Sequence, residues 1–543
     1  MQPTDVIQRI LNRCFCVPAQ RTRDAARSVA AVLPRRTLAI VVLSAILCGG
    51  TLGAGGQSPQ AVQLPSSGRM GQSSGQVSSQ QIPSAGSGVG VIQPSVMVTG
   101  GYAGSTPPSS SLKGPFQLSL FDAVKLGLEF NLGVITSDVA SATVRAQRMQ
   151  ALSQLLPQIT ASVGETVTQI NLASYGLNTL GKSLGTQASA FPSIVGPFQY
   201  VQAQANLSWN ALSLTNIRNV QAANAVDRAA RLNAQDAREL VVLAVGGSYL
   251  QVVSAAARIE SERLQVKYAQ ATYNQAKTRL SAGTNTRVDV TRSLVQLQAE
   301  QERLLSYEGD YEQQKIAFAR IIGLPQDAGI VFTEALAPKD LPSVDGTEAL
   351  HDALAHRRDL LAAAAQVEAA ERALSGAHSE RLPSISFNGY YGASGIHPNQ
   401  SHGDFVAQGT VNVPIFDGGR ISGDVAQARA TLRQRRAEYE DQKGKVEQDV
   451  RNALIQLKTA AGQVKLAESN RQYAHETLTQ TEDRFDAGVT STVEVVQAQQ
   501  QLGAAENDYI SSLFAWNLAR LSLARAAGDA EADLANLFPG AKP

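Results

Sequence analysis

Charge, aromatic residues and cysteine are all scarce in this 543-residue chain. Charged residues make up 17% of it and the formal net charge is +1, so we expect no basic surface of the kind that binds nucleic acid. All three cysteines lie near the N-terminus, at Cys14, Cys16 and Cys48. A chain cleaved near residue 55 would contain none of them, which excludes a disulfide framework and a cysteine-ligated metal site.

The sequence also lacks a pattern that predicts an enzyme. Its histidines show neither metal-ligand spacing nor a neighbouring nucleophile and base; they are His351, His356, His378, His397, His402 and His475. Residues 176–183 do fit the phosphate-binding loop G-x-x-x-x-G-K-S. That loop requires a helix directly after it, and Pro192 and Pro197 with nearby glycines argue against one. We therefore expect no catalytic residue, no metal and no cofactor, and interpret the motif as a surface loop.

Export is indicated by the N-terminal region, residues 1–55. Arg35 and Arg36 precede an apolar run over residues 37–47 and then a stretch of small residues, which is the pattern of a secretory signal with a long n-region. A buried helix or a membrane anchor is the alternative. Lipidation of Cys48 is disfavoured because the large Leu47 precedes it. Residues 56–115 are rich in Ser, Gly, Gln and Pro, and we expect them to form a disordered tether.

An internal repeat is the strongest signal in the chain. Residues 279–290 (RLSAGTNTRVDV) match residues 484–495 (RFDAGVTSTVEV) at an offset of 205 residues. Similar matches precede them in the same order, so we predict a tandem duplication. The first repeat covers residues 116–338 and the second covers residues 339–537, leaving a short tail at 538–543.

Each repeat contains a long helix with a seven-residue periodicity. In the second repeat the large positions are Val450, Leu457, Val464, Arg471, Leu478 and Phe485, and the small positions, three residues later, are Ala453, Ala460, Ala467 and Ala474. Such a pattern predicts closely packed, supercoiled helices, each on the order of 105 Å long at 1.5 Å per residue. An exported coiled-coil scaffold without channel activity would satisfy this pattern too.

Alternating segments before these helices argue against a plain rod. Strands are predicted at about 158–171 and 199–209 in the first repeat and at about 384–393 and 405–415 in the second. An apolar face opposite an uncharged polar face is typical of a transmembrane barrel wall, although a soluble hairpin packed on one face is the alternative. Four strands cannot close a water-filled barrel, so several chains must pool theirs. Trp209 and Phe416, at the strand-to-helix junctions, suit an interfacial aromatic belt.

The sequence resembles the TolC-type outer-membrane efflux family. The resemblance rests on residues 118–131 (LSLFDAVKLGLEFN), on residues 413–420 (VPIFDGGR) and on two R-x-x-A-G turns. It implies a mainly α fold with a transmembrane β part. Specifically, a homotrimer would form a 12-stranded β-barrel in outer-membrane lipid, continued by a long α-helical barrel of coiled-coil helices in the periplasm. It also implies a periplasmic adaptor protein and an inner-membrane transporter as partners, and a passive exit duct for small molecules or polypeptides.

The resemblance further implies two roles for the turns between the long and returning helices. The candidates for adaptor docking are Arg279, Ala282, Gly283, Thr286, Arg484, Ala487, Gly488 and Ser491. The candidates for a periplasmic gate are Glu494, Gln497 and Asp289. Glu494 stands where the family has a carboxylate, and three copies would form an acidic ring. Alternatively, Glu494 only complements the dipole of its helix, an account that covers Asp289 equally.

Overall fold

The computed structural model describes residues 77–83, 92–106, 116–175, 193–334 and 345–532. The helices are α1 (Leu120–Phe130), α2 (Leu132–Ser153), α3 (Leu214–Ser281), α4 (Arg287–Ile322), α5 (Gly346–His356), α6 (Arg358–Ser379), α7 (Arg420–Asp486) and α8 (Thr492–Ala527). The strands are β1 (Val77–Pro83), β2 (Ile92–Val98), β3 (Phe116–Leu118), β4 (Gln158–Asn171), β5 (Ile194–Leu212), β6 (Ile330–Phe332), β7 (Ser384–Gly395) and β8 (His402–Asn412). The protein is thus mainly helical with a smaller β part.

The helices of the two repeats match in order and in length. Helices α1 and α2 reappear as α5 and α6 with the same lengths, 11 and 22 residues. Helices α4 and α8 both contain 36 residues and lie 205 positions apart. Each repeat therefore consists of two short helices, two strands, one long helix and one returning helix.

Four antiparallel strands form one sheet in the order β4-β5-β7-β8. The central β5–β7 pairing joins the two repeats, from Val201 opposite Gly395 to Leu212 opposite Ile385. The described residues form two smaller sheets as well, an antiparallel pair of β1 with β2 and a parallel pair of β3 with β6. The parallel pair brings the start and the end of the first repeat together.

The long helices pack side by side. Next to the sheet the order is α2-α3-α6-α7, and towards the turns it is α4-α3-α8-α7. Val450, Ala453, Leu457, Ala460 and Val464 are all buried, which confirms the predicted heptad face. By length and composition α3 alone among the described helices could cross a bilayer, but 78% of its apolar window is buried inside the protein, as in a core helix.

A compact hydrophobic core lies where β3, β6 and the returning helix meet α3. The ring of Tyr249 packs edge-on against Phe318 and Phe332, with ring centroids 6.0 and 5.3 Å away. Its hydroxyl donates to the backbone carbonyl of Leu118 at 3.2 Å. This core fixes the first repeat midway along α3, between the sheet and the turns.

Part of the predicted disordered tether is ordered instead. Residues 77–83 pair with residues 92–98 as a hairpin, and Val96 packs against Leu250 and Phe514. Tyr102 is buried in the core. The prediction was wrong here because apolar residues that are isolated in a polar segment bury their surface against helices distant in sequence. The signal region 1–55, the motif at 176–183 and the tail 538–543 lie outside the described residues.

The strand bounds differ from the predictions in three strands, of which β7 differs least, ending at Gly395 and not at 393. β5 begins five residues before the predicted 199 and ends three residues after 209, because it pairs with strands on both sides. β8 covers His402–Asn412 and not 405–415. It ends before Val413 because Pro414 has no backbone N–H to donate to a ladder.

Candidate functional site

The register of the four-stranded sheet brings its apolar side chains onto one face. Residues directly opposite each other in a ladder share a face, and Ala205 lies opposite both Ala161 of β4 and Tyr391 of β7. Tyr391 in turn lies opposite Phe405 of β8. This apolar face contains Ile159, Ala161, Val163, Val167, Val201, Ala203, Ala205, Leu207, Trp209, Ile385, Phe387, Tyr391, Ala393, Phe405, Ala407 and Val411. The charged Glu165, opposite Val201, lies on the same face.

The apolar face is uncovered within the chain. Val163 is 80% exposed, and Tyr391 and Phe405 are each 74% exposed. A soluble hairpin packed on one face, the alternative considered above, would bury these side chains. An exposed apolar surface of this size requires contact with lipid or with another protein.

The opposite face of the sheet is polar. Its members include Thr160, Ser162, Gln202, Gln204, Asn206, Asn388, Gln408 and Thr410. Asp404 is its one acidic residue in the four strands, and Ser394 donates to it at 3.4 Å. The sheet therefore separates an apolar environment from one suited to water.

The junction between β8 and α7 is a sharp turn made by the predicted D-G-G segment. Gly418 and Gly419 both have left-handed backbone conformations, with φ of 66° and 93°. The Asp417 carboxylate accepts hydrogen bonds from the backbone N–H groups of Gly419 and Ile421, and these bonds lower its pKa. Phe416 beside the turn is 91% exposed, in keeping with a residue that contacts lipid head groups.

At the other end of the long helices, two similar turns connect each long helix to its returning helix. Gly283 and Gly488 have φ of 76° and 77°, the left-handed conformation that ends a helix. No atom lies within 4 Å of a Cβ built on either glycine. Ala282, Thr286, Ala487 and Ser491 are exposed as well. The two turns thus present matching open surfaces.

Arg279 joins the two turns of one chain. Its Nη2 donates to the backbone carbonyl of Phe485 at 2.6 Å and lies 3.5 Å from Asp486 Oδ1, and its guanidinium stacks 4.0 Å from the Phe485 ring centre. Gln275 also donates to Asp486. The equivalent residue of the second repeat, Arg484, is exposed. Among the described residues, the Arg484 side chain has no hydrogen bond equivalent to the one that Arg279 donates to Phe485.

The structure separates the roles of the two acidic gate candidates. Asp289 forms a capping box with Thr286 at the start of α4 and also lies 3.3 Å from Arg292. Glu494 occupies the same position in α8, but no side chain caps that helix and Glu494 is exposed. A role limited to stabilising the start of a helix therefore explains Asp289 better than it explains Glu494.

Gln497 lies one helical turn after Glu494 and is exposed on the same side of α8. One further turn along, Gln500 donates to Gln296 of α4 at 3.0 Å. The exposed row that begins at Glu494 therefore faces away from the core of the hairpin and contains a single acid.

Sequence reasoning missed Phe485 and Asp486 as the partners of Arg279. The two are separated from Arg279 by 206 and 207 residues, so no local pattern links them. It also missed a buried acidic pair, Glu262 and Glu300, which lies between α3 and α4.

Comparison with known proteins agrees with this geometry. Residues 137–324 and 349–529 match the family described as Outer membrane efflux protein. Nodulation protein T of Rhizobium leguminosarum bv. trifolii is 22% identical over 72% of this chain and 82% of its own length. Outer membrane efflux protein BepC of Brucella suis biovar 1 is 26% identical over 48% of this chain and 56% of its own length. The crystal structure of VceC from Vibrio cholerae aligns with a TM-score of 0.63 and 18% identity, covering 75% of this chain and 96% of that one.

The duplicated unit, with one four-stranded sheet shared by both repeats and long paired helices, has the same fold as VceC. The two matched segments coincide with the two structural repeats and cover well over half of the chain. The chain belongs to the outer membrane efflux protein family, and it is an outer-membrane component of an efflux system.

Proposed function

We propose that three copies of this chain form a passive exit duct, with a closed 12-stranded barrel in the outer membrane and a 12-helix barrel in the periplasm. The observation that carries the proposal is the register that places most of the apolar side chains of the four strands on one exposed face. Strands β4 and β8 lie at the two edges of that sheet. Open edges are costly in lipid, so β8 of one copy pairs with β4 of the next until the ring closes.

The helices support the same arrangement. Four lie side by side at each level of one chain, so three chains supply twelve. The terminal helices near the turns, α4 and α7, carry exposed apolar side chains. Leu305 of α4 is 70% exposed, and Leu466 and Tyr473 of α7 are each 68% exposed. Contact between α4 of one copy and α7 of the next buries these side chains.

The two turns form the docking surface for a periplasmic adaptor protein, which connects the duct to an inner-membrane transporter. Their exposed glycines support this role, because an open backbone surface accepts a partner without displacing side chains. The transporter supplies the energy, and the duct provides the path out of the periplasm.

Glu494 forms a ring of three carboxylates at the periplasmic end of the duct. Its lack of a capping role and its exposure support this assignment. Gln497, on the same side, adds no second charge, so the proposed ring attracts cations less strongly than a double ring.

The test is to express the exported part of the chain, purify it from outer membranes and record currents in planar bilayers. Heat-modifiable trimers that conduct ions are expected. A soluble helical product of any other stoichiometry would instead support the coiled-coil scaffold. In the same recordings Glu494→Ala should raise the conductance and lower the preference for cations, whereas Asp289→Ala, which removes a capping acid, should leave the ion preference unchanged. Identical currents for all three proteins would remove Glu494 from the gate.

A further inference from the structure

Two carboxyl groups are buried together between α3 and α4, about halfway between the turn and the central core. Glu262 of α3 is 2% exposed and Glu300 of α4 is 4% exposed. Both carboxyl groups lie within 4 Å of the same atom, Arg303 Nη1. Two buried carboxylates cannot both remain ionised at this separation without a large cost in free energy.

One cation, Arg303, lies near both acids, but it is much closer to Glu300 than to Glu262. The Arg303 guanidinium lies 2.5 Å from Glu300 Oε2 but 3.8 Å from Glu262 Oε1, which is too far for a hydrogen bond. Glu262 Oε1 is buried and accepts no hydrogen bond. Arg303 and Gln296 both donate hydrogen bonds to Glu300. Glu262 is stabilised as the neutral acid.

The other groups around the pair do not supply a second cation. On α3, Arg258 faces Tyr307 and Asp310 of α4 and donates to Ser511 of α8 at 3.2 Å. On α8, Glu506 pairs with Arg471 of α7 at 3.9 Å. Asn507, also on α8, bonds Tyr307.

Outside this cluster, Arg263 of α3 forms ion pairs with Glu308 of α4 and with Glu260, at 3.2 and 3.8 Å.

Burial and the neighbouring Glu300 raise the pKa of Glu262 to about 8.

The second repeat provides an internal comparison. At an offset of 205 residues, Glu262 corresponds to Ala467 and Glu300 corresponds to Ala505, while Arg303 is replaced by Asp508. The second hairpin has helices of nearly the same length and no counterpart of the acidic pair at the matched positions.

We propose that Glu262 and Glu300 hold one proton between them, and that losing this proton loosens α4 from α3 in the first repeat only. The proton resides on Glu262, which donates its O–H to the Glu300 carboxylate, and it leaves to solvent when the pH rises. The inference rests on contacts within one chain, so it stands independently of channel formation.

The sign of the effect follows from the two states. Because the pKa of Glu262 is higher in the folded hairpin than in an opened one, the folded state binds more protons between about pH 4.5 and about pH 8. The packing of the first hairpin is therefore strongest in acid. It weakens as the pH rises through this window and reaches its minimum above about pH 8.

Amide hydrogen exchange of the full-length protein in detergent micelles tests this directly, with rates corrected for intrinsic base catalysis. Protection of residues 258–266 and 296–304 should fall by up to about tenfold per pH unit between pH 5 and 8. The matched residues 463–471 and 501–509 of the second repeat should show a shallower slope, because burial there raises the pKa of Glu506 and Asp508 without a neighbouring carboxylate adding to the shift.

Two variants complete the test. Glu262→Gln retains a donor to Glu300 but cannot titrate, so it should abolish the pH slope in the first hairpin. The double variant Glu262→Ala with Glu300→Ala places the residues of the second repeat at both positions. It should also abolish the pH slope, and it provides the test if the glutamine variant fails to assemble. Equal slopes in the two wild-type hairpins, or a slope that persists in either variant, would overturn the proposal.

Discussion

The hairpins α3–α4 and α7–α8 match in the position of their turns and in the length of their returning helices, but they bury different residues. Both long helices end at equivalent residues, Ser281 and Asp486, and both returning helices contain 36 residues. At one level, however, the first hairpin buries Glu262 where the second buries Ala467.

The difference shows which features a duplicated hairpin must keep. Glycine turns and the heptad of large residues fix the length and the register of the helices, and both repeats retain them. The small positions between them tolerate divergence when the new side chain finds a partner, as Glu262 does in Glu300. Four sets of substitutions test the comparison.

The largest effect is expected at the two open turns. Gly283→Asp or Gly488→Asp should abolish most export, because a charged side chain then occupies the surface proposed for the adaptor and strains a left-handed backbone position. Gly444→Asp is the control, since Gly444 lies within α7, 22 residues before Leu466, and nothing lies near its Cβ. Export is measured as resistance of cells to a pump substrate, with trimers verified in the membrane. Normal export by both turn variants would exclude the turns as the docking surface.

Copying the acid of the first repeat into the second should be the most destabilising change. Ala467→Glu buries a carboxylate whose nearest arginine along the helix, Arg471, already pairs with Glu506 and stacks on Tyr509, which should lower the free energy of unfolding by about 3 kcal/mol. Gly444→Glu, at an exposed position of the same helix, is the matched control. Hydrogen exchange of the second hairpin measures the change. If both variants were equally stable, the second hairpin would be shown to accept a charge at this level.

Removing the link between the turns should have a moderate effect. Arg279→Ala deletes the bond to the Phe485 carbonyl and the stacking on its ring, which together contribute about 1–2 kcal/mol. Arg484→Ala removes the equivalent exposed arginine and should change little. Spin labels at Thr284 and Val489 report the distance between the turns. Equal broadening of that distance in the two variants would contradict the asymmetry.

The smallest effect is expected at the first residues of the returning helices. Thr286→Ala removes a capping box and should cost about 1 kcal/mol, or about fivefold in the exchange rate of the first turn of α4. Ser491→Ala should change the first turn of α8 by much less, because the Ser491 side chain makes no capping bond. Similar losses in both helices would mean that Ser491 caps α8 in solution.

The sequence predicted the helical part well because its signals are local. The glycines that end the long helices and the heptad from Val450 to Phe485 can be read within a few turns of helix. The same heptad contained a clue to the acidic pair. In the first repeat, Glu262 interrupts a series of small residues that includes Ala255 and Ala269, and a charge at an apolar position indicates a buried partner.

The contacts between repeats could not be predicted in this way. Val96 packs on Leu250 and Phe514, and Arg279 bonds Phe485, across separations that no periodicity connects. The predicted tether failed for the same reason, since its few apolar residues become ordered only against helices far along the chain.

By itself, the sequence determined the duplication, the long helices, the turns and the alternation within each strand, because each of these depends on residues within a few positions of one another. Only the tertiary structure decided that β5 pairs with β7, which aligns the apolar sides of four strands, and that Glu262 meets Glu300. Periodicity fixes which side chains share a face of their own element. The element that covers that face is selected by packing among segments far apart in the chain.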